Sequence, residues 1–466
     1  MHEGELILIA AAMLAGGLGA SLMARRLRLP SLLLFLALGM IVGSEGTGWI
    51  HFDDYEAAKA IGVIALALIL FEGGLSAGFG EIRPVLRTAV GLAALGTLGT
   101  AVLTGLVAAW LFDLTTLQGL LLGAVISATD GAAIFALLRT STLERRLART
   151  LEGESGMNDP IAVLLVLGFI DWIEKPGYGL LDMAGLFAEQ IAIGTVIGLL
   201  VGAAATWAFR RAELDSAGLY PVASLAAAGL AFGAADTLGG SGFLSVYLAG
   251  LTLGTTVIPA KRTVVTFHQG LAWIAQIAMF LTLGLLVFPS QLGDVWFDGI
   301  VLALVLVFVA RPMATFAATA LARFGVRERV LLSWAGLRGA LPVVLATFPV
   351  IAEVPNSLEF FNIVFFAVVI STLLQGTTFE PLANRLGLTT SEPALPSPLA
   401  EAGTIRRLGA EVLEYPVDAS DAIVGARVRD LGLPREAVVN VIVRGDEAIP
   451  PRGATRLRAG DRVHVL

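Results

Sequence analysis

The stretch LEGESGMNDPIAVLL, residues 151–165, decides how this chain must fold. It places three carboxylates, Glu152, Glu154 and Asp159, within eight residues and directly before the apolar run VLLVLGFI. Carboxylates are costly in apolar surroundings and persist there when they have a function. The stretch therefore predicts a functional polar site inside an apolar part of the protein.

The composition identifies those surroundings as a membrane. The 466 residues are 56% hydrophobic and 15% charged, with 53 glycines and a mean hydropathy of +0.82, which is typical of a polytopic membrane protein. The absence of cysteine excludes disulfides, thiol catalysis and Cys-ligated metals. The first apolar stretch lacks a preceding basic region, so we expect a retained helix rather than a cleaved signal.

A membrane span needs about 20 mostly apolar residues. By that rule the chain has about thirteen candidate spans, which predicts an all-α membrane domain. Their approximate limits are 4–23, 30–46, 56–75, 84–111, 115–138, 149–171, 182–209, 217–237, 240–258, 264–289, 296–322, 328–352 and 357–385.

Basic residues fall almost entirely on one side of these spans. The opposite side holds Lys175 and acidic loops such as HFDDYE. Because positive loops stay in the cytoplasm, this bias predicts an outside N-terminus, a cytoplasmic C-terminus and an odd number of spans. The seventeen residues on the basic side are Arg25, Arg26, Arg28, Arg83, Arg87, Arg139, Arg145, Arg146, Arg149, Arg210, Arg211, Lys261, Arg262, Arg323, Arg327, Arg329 and Arg385.

The character of the chain changes after the last span. Residues 1–388 form the predicted transmembrane domain, and 389–403, rich in Pro, Ser, Thr and Ala, is predicted to be a linker. The remaining residues, 404–466, read as a small cytosolic α+β domain. Its expected elements are strands near 410–417 and 437–443 and a short helix near 428–433.

Seven ionisable residues lie inside the predicted spans, and three of them reach the same depth. Asp159 lies ten residues past Arg149, and Arg338 nine past Arg329, so each is roughly 14–15 Å from the basic side at 1.5 Å per helical residue. Asp130, nine residues before Arg139, is equally deep, near the middle of a ~30 Å layer. Two carboxylates and one guanidinium leave room for a bound cation or proton. The full set is Glu72, Asp130, Glu152, Glu154, Asp159, Arg311 and Arg338.

Helix geometry separates the carboxylates of the opening stretch. Ser155 and Asp159 are four residues apart and share a face, and Glu152 lies on that face two turns towards the cytoplasm. Glu154 and Asn158 occupy a face rotated away from them. We therefore expect Asp159 and Ser155 to offer oxygen ligands to an alkali cation, while Glu154 pairs with a residue on another helix.

Two other charged spans carry helix-breaking residues. SATDGAA (127–133) has a glycine directly after Asp130, and GLRGALP (336–342) has two glycines around Arg338 and a proline. Breaks at the same depth in opposite halves of a chain are what inverted repeats with interrupted helices produce. Together they predict an ion site near the membrane midplane.

These motifs resemble the cation/proton antiporter-1 family, the NhaP-type exchangers. The resemblance rests on LFEGGL (70–75), SATDGAAIFALLR (127–139), LEGESGMNDPIAVLL (151–165) and WAGLRGALPVVLATFP (334–349), in family order. It implies thirteen spans, inverted repeats with crossed interrupted helices in spans five and twelve, and a homodimer with a mobile core. Such a protein is a transporter in the plasma membrane, not an enzyme, and no nucleic-acid partner is expected.

The resemblance also implies roles for individual residues. Asp159 is the carboxylate that binds a proton or an alkali cation, never both, and Asp130, Ser155 and Thr129 help to hold the cation. Glu154 and Arg338 form a buried pair that orders the core. Asn158, where electrogenic relatives carry a second aspartate, implies electroneutral exchange.

The motif SGMNDP (155–160) resembles the potassium/proton branch of the family that is related to the volume regulator CvrA. That resemblance implies a role in pH and volume homeostasis. Na⁺ or Li⁺ exchange stays the alternative. The tail resembles a TrkA C-terminal (RCK_C) domain, which is regulatory and can bind nucleotides, but it lacks a Gly-rich phosphate loop, so no effector and no cofactor is assigned.

Three ionisable residues remain accessory, and other functional classes fit less well. For Glu72 and Arg311 we expect structural roles, and for Glu152 either a cytoplasmic funnel or simple interface exposure. A tail-gated cation channel would need a TVGYG-like filter, and an intramembrane aspartyl protease would need a Gly-x-Gly-Asp motif. A primary pump would need a GxxxxGK[ST] loop. None of these motifs occurs in the sequence.

Overall fold

The computed structural model of the protein folds as two compact units, Met1–Leu395 and Pro396–Leu466. It describes residues 3–27, 29–131, 133–134, 138, 141–211, 214–256, 258–390, 400–405, 410–418, 421–434, 437–445 and 447–465. Most of the predicted linker, residues 391–399, lies outside this set, as do Arg28 and Arg139 of the basic residues.

The first unit is a helical membrane domain. In the described residues, nine helices are long and apolar enough to cross a membrane and four further apolar helices are shorter, which together make thirteen, as predicted. Together with the shorter helix Val326–Trp334, these described helices are α1 (Glu3–Leu27), α2 (Ser31–Val42), α3 (Tyr55–Ala77), α4 (Phe79–Leu111), α5 (Thr116–Ser127), α6 (Arg145–Glu174), α7 (Leu180–Arg211), α8 (Leu219–Thr237), α9 (Gly242–Thr255), α10 (Lys261–Leu285), α11 (Trp296–Ala318), α12 (Val326–Trp334), α13 (Ala340–Ile351) and α14 (Ser357–Leu386).

The helices differ in how much of their surface is buried by other parts of the protein. In α6, 67% of the span is buried within the protein, against 17% in α1 and 22% in α7. Because α1 and α7 expose large apolar side chains such as Ile7, Leu8 and Leu181, they suit contact with lipid or another apolar surface. The charged stretch quoted above therefore lies on the most enclosed long helix.

Two spans are interrupted, as the glycine and proline signals predict. Helix α5 ends at Ser127, Ala128 is extended, and helical residues resume at Gly131. A second break separates α12 from α13. The Asp130 N–H donates to the Leu337 carbonyl over 2.8 Å, so the two breaks meet and satisfy each other's backbone groups. Irregular backbone is tolerated at membrane depth only when it is buried in protein in this way.

Helices α4 and α11 also share a distortion. Each contains a π-helical segment, Leu92–Gly96 in α4 and Leu306–Ala310 in α11. In α11 the segment directly precedes Arg311 and Pro312, and a proline inside a helix removes one N–H and crowds the carbonyl four residues earlier. The wider turn accommodates that proline, and π-bulges of this kind occur often at functional sites.

The second unit is a small antiparallel sheet. Its strands are β1 (Ala400–Ile405), β2 (Ala410–Pro416), β3 (Val439–Arg444), β4 (Glu447–Ile449) and β5 (Asp461–Val465), in the order β1-β2-β5-β3-β4. Its described core contains Val417, Ile442 and Val463. The two predicted strands are present, whereas the predicted helix near 428–433 is only a 3₁₀ turn, Val428–Asp430. The turn is short because Gly432, with a φ of +62°, follows it and ends the helical conformation.

Candidate functional site

The break after α5 presents two predicted site residues. Thr129 and Asp130 are both buried, and the Asp130 carboxylate accepts from the Ala133 N–H over 3.3 Å. The residue thus caps the helical segment that begins at Gly131. An Asp at a helix N-terminus lies where the helix dipole and free N–H groups stabilise negative charge.

Helix α6 brings the second carboxylate to the break. Asp159, Ser155 and Asn158 are each at most 2% exposed. The Asn158 amide donates to the Thr129 hydroxyl, which joins α6 to the α5 break. Pro160 has no N–H to bind the Gly156 carbonyl, so a backbone oxygen is released one residue after Ser155.

The five residues assigned to the exchange site lie on two segments, α6 and the α5 break, which the Asn158–Thr129 hydrogen bond joins. Asp130 and Asp159 are close enough to interact electrostatically. One oxygen of Asp159 has no hydrogen-bond partner among the described residues, which leaves it available to a cation or proton. The cluster combines two carboxylates with the Thr129, Ser155 and Asn158 side chains.

The break between α12 and α13 packs directly against Asp130. A methyl group at Gly339 would lie 1.6 Å from Asp130 Oδ2 and 2.3 Å from its Cγ, both impossible contacts. Gly339 is therefore required for the Asp130 carboxylate to occupy its observed position.

Arg338 is anchored to the α5 break and to α14. Its Nη1 donates to the Ser127 carbonyl, its N–H donates to Ser371 Oγ over 3.0 Å, and its carbonyl accepts from Thr372 Oγ1 over 2.6 Å. Its Nε and Nη2 have no hydrogen-bond partner among the described residues. Arg338 thus fixes the interrupted helices to each other.

The expected Glu154–Arg338 pair is not formed, and the structure corrects it. Glu154 pairs instead with Arg311 of α11, with Nη2 and Oε1 2.5 Å apart and both side chains buried. Gly336 makes this pairing possible, since a methyl group there would lie 2.7 Å from Arg311 Nε. Arg311 therefore has the structural role that was expected of it, and its partner is Glu154.

Glu152 and Glu72 lie outside the cluster. Glu152 is buried rather than exposed at an interface, and its Oε2 lies 2.6 Å from Arg149 Nη1. Arg149 also approaches Glu81 of α4 at 3.2 Å. Glu72 is buried and accepts from Ser76 Oγ over 2.8 Å. The spacing of Arg149 and Glu152, three residues apart, is a signal from which their pairing follows.

Sequence reasoning missed one neighbour of the site altogether. The ring of Tyr247, on α9, lies against Gly156, where a methyl group would come within 2.3 Å of the ring. Tyr247 is 1% exposed, and its hydroxyl has no partner among the described residues. Gly156 directly follows Ser155, so the ring lies beside the part of α6 that carries the site residues. No local pattern links residues this far apart in sequence.

The donor set suits a hard monovalent cation or a proton. Carboxylate, hydroxyl and carbonyl oxygens bind such cations, whereas transition metals prefer nitrogen and sulfur ligands. In the part of the chain that the structure describes, no three His, Cys, Asp or Glu side chains form a metal-binding group. A carboxyl group in apolar surroundings also takes up a proton more readily than one in water.

Comparison with known proteins agrees with this geometry. The family model for the transmembrane sodium/hydrogen exchanger matches residues 9–385, and the TrkA-C domain matches residues 412–466. The chain is 38% identical to the K(+)/H(+) antiporter NhaP2 of Shewanella oneidensis, over 98% of this chain and 80% of that protein. It is 36% identical to the K(+)/H(+) antiporter NhaP of Alkalimonas amylolytica, over 96% and 78%.

A solved structure shares the fold. The sodium proton antiporter MjNhaP1 of Methanocaldococcus jannaschii superposes with a TM-score of 0.71 at 23% identity, covering 82% of this chain and 99% of that one. The fold and the family implied by the motifs are thereby confirmed. The chain belongs to the sodium/hydrogen exchanger family, as a cation/proton antiporter with a C-terminal TrkA-C domain.

Proposed function

We propose that this protein exchanges K⁺ for protons across the plasma membrane, one for one, at Asp159. The observation that carries the proposal is the buried meeting of Asp130 and Asp159 at the α5 break. Asp159 keeps an oxygen without a hydrogen-bond partner among the described residues, in a site otherwise enclosed by protein.

The exchange follows from competition for one group. Protonated Asp159 has no negative charge with which to hold a cation. Once it loses the proton, its carboxylate can bind K⁺ together with Asp130, Ser155 and the Thr129 carbonyl. If the core moves between its two orientations only when loaded, cation flux in one direction drives proton flux in the other.

Three observations support the finer assignments. Two relatives, 36–38% identical over at least 96% of the chain, are named K⁺/H⁺ antiporters, which supports K⁺ over Na⁺ or Li⁺. Asn158, which precedes Asp159, carries no charge and donates to Thr129, which supports electroneutral exchange. The seventeen-to-one distribution of basic residues supports an outside N-terminus and a cytoplasmic C-terminus.

The homodimer and a regulatory tail belong to the same proposal. The dimer rests on the resemblance, and cross-linking in intact membranes tests it. The tail has the TrkA-C fold but no assigned ligand, so exchange is measured with and without residues 397–466. A faster or slower rate after truncation supports a regulatory role, and an unchanged rate contradicts it.

Reconstitution tests the central assignment. The purified protein is placed in liposomes with an imposed pH gradient, and dequenching is recorded on adding K⁺, Na⁺ or Li⁺. We expect K⁺ to collapse the gradient most effectively and Asp159→Ala, correctly folded, to abolish the response. A wild-type response from Asp159→Ala would rule the site out. A larger response to Na⁺ than to K⁺ would overturn the proposed selectivity.

A further inference from the structure

The ends of α7 and α9 enclose a groove that the exchange mechanism does not use. Its volume is about 390 Å³, and it is lined by Trp207, Arg210 and Arg211 of α7, by Thr252 of α9 and by Thr256, which directly follows α9. That volume falls within the range of small-molecule sites. We propose that this groove binds the phosphate headgroup of an anionic membrane phospholipid.

The charge of the groove suits a phosphate. Among its described lining residues two are arginines and none is acidic, and guanidinium groups bind phosphate oxygens in a bidentate manner. The Arg211 guanidinium carbon lies 5.0 Å from the centre of the Trp207 ring, which orients it by a cation–π contact. Lys261 adds positive charge nearby, since its Nζ donates to the Thr256 carbonyl over 3.1 Å.

A hydroxyl in the groove wall also lacks a protein partner. Thr206 Oγ1 is buried and has no hydrogen bond among the described residues, although helical threonines usually donate to the carbonyl four residues earlier. The neighbouring Thr252 and Thr256 do make such bonds. A buried hydroxyl left unused is costly, and a bound headgroup oxygen would satisfy it.

The surface leading away from the groove favours a lipid over a free phosphate. Val196, Leu200, Ala203 and Trp207 follow one another at helical spacing, and all four are exposed. This stripe runs for roughly 16 Å along α7, about the depth of one leaflet of a ~30 Å hydrocarbon layer. An acyl chain can therefore lie along it while the arginines hold the headgroup and Trp207 lies at the interface.

The groove lies on the basic side of the protein, which is the predicted cytoplasmic side, where anionic lipids are concentrated. Arg210 and Arg211 belong to the basic side of the protein, and basic pockets between helices on that side are typical sites for anionic headgroups. The groove is bounded by α7, which is peripheral, and by α9, which carries Tyr247 against the exchange site. A lipid held here would bridge the outer helix and a helix that contacts the cation site.

Native mass spectrometry of the full-length protein in detergent tests the proposal without relying on transport. Bound lipid is counted after adding phosphatidylglycerol or phosphatidylcholine, and the melting temperature is recorded in parallel. We expect phosphatidylglycerol to bind in preference, and Arg210→Gln/Arg211→Gln to weaken its binding about thirtyfold, which corresponds to roughly fivefold for each lost charge. The matched control Arg323→Gln/Arg327→Gln removes the same charge from the same side and is expected to bind as the wild type does.

Three results would overturn the proposal. They are unchanged phosphatidylglycerol binding in the Arg210/Arg211 variant, an equal loss in the control, or inorganic phosphate that displaces the lipid at millimolar concentration. The last result would assign the groove to a free phosphate. Should the double variant fail to fold, Arg210→Gln and Arg211→Gln singly give the same test, with a loss of about fivefold expected for each.

Discussion

The Glu154–Arg311 pair offers a direct test of how the core is held together. The two charged atoms are 2.5 Å apart, and both side chains are buried. Coulomb's law with an effective dielectric of about 20 gives on the order of 7 kcal/mol for two unit charges at that distance. Desolvation offsets part of this, but loss of one partner leaves an uncompensated buried charge and costs about 3–5 kcal/mol.

The perturbation is a double-mutant cycle. Arg311→Met and Glu154→Gln are each expected to lower the free energy of unfolding by about 3–5 kcal/mol, and the double variant is expected to recover at least about 2 kcal/mol of their sum. A second cycle combines Glu154→Gln with Arg338→Met. Its coupling is expected to be smaller, because Arg338 donates to the Ser127 carbonyl instead. Unfolding is followed by circular dichroism in mixed micelles.

The comparison of the two cycles decides between partners. A coupling that is larger with Arg338 than with Arg311 would refute the pairing described here and favour the one that the family resemblance implies. Additive effects for Glu154 and Arg311 would show that the two charges do not stabilise the core jointly. Both cycles use the same glutamate variant, so any effect of that substitution alone cancels between them.

Three further predictions follow from close contacts. Gly339→Ala is expected to lower K⁺-dependent proton flux in liposomes by at least about tenfold, because a methyl group displaces the Asp130 carboxylate. The same substitution is expected to lower the free energy of unfolding by about 1–3 kcal/mol through overpacking, which is measured in parallel. Gly156→Ala is expected to push Tyr247 aside and raise the apparent KM for K⁺, which is read from the same flux assay. Asp461→Asn is expected to increase hydrogen exchange in β3 and β5 about tenfold at neutral pH, since a buried charged hydrogen bond is lost.

Asp461 makes the stability of the sheet in the second unit depend on pH in a definite direction. Hydrogen bonds from Arg444, with Nε and Oδ1 2.7 Å apart, hold the pKa of Asp461 below its usual value. A lowered folded-state pKa adds stability above the unfolded pKa of about 3.9, and that stability is lost as pH falls through the folded value. Protection of β5 in the wild type should therefore decrease below about pH 4, and Asp461→Asn should remove the change. Equal pH dependence in both proteins would contradict this.

Matched glycines serve as controls for the two packing predictions. Gly270 and Gly229 have no atom within 4 Å of an added methyl group, and both lie in helices. Alanine at either position is expected to leave transport unchanged and to stabilise the protein by roughly 0.5–1 kcal/mol. A loss of transport in these controls equal to that in Gly339→Ala would show that the flux assay reports general damage.

Hydropathy and charge were enough to predict the membrane domain. Thirteen apolar segments are a property of composition along the chain, and each corresponds to a described helix or interrupted pair. The breaks were also predictable, because glycine and proline act locally on the backbone at Gly131, Gly336 and Gly339. Depth could be counted from the nearest basic loop, which is why Asp130 and Asp159 were expected at one level.

Pairing between distant helices was not predictable in the same way. Two buried arginines, Arg311 and Arg338, lie within electrostatic range of Glu154. The choice between them depends on how α11 and α12 are rotated and on the room that Gly336 leaves for Arg311. Neither quantity is encoded in the spacing of residues within one helix. The contact of Tyr247 with Gly156 has the same origin.

Competition between proton and cation at Asp159 is best examined by the kinetics of exchange. Initial proton flux in liposomes is measured against K⁺ concentration at a series of pH values. If both ions bind one carboxylate, the maximal rate stays constant while the apparent KM for K⁺ rises, by up to about tenfold for each unit of falling pH, and Asp159→Ala shows no flux. A maximal rate that falls with pH at constant KM, or persistent flux in Asp159→Ala, would contradict a shared site.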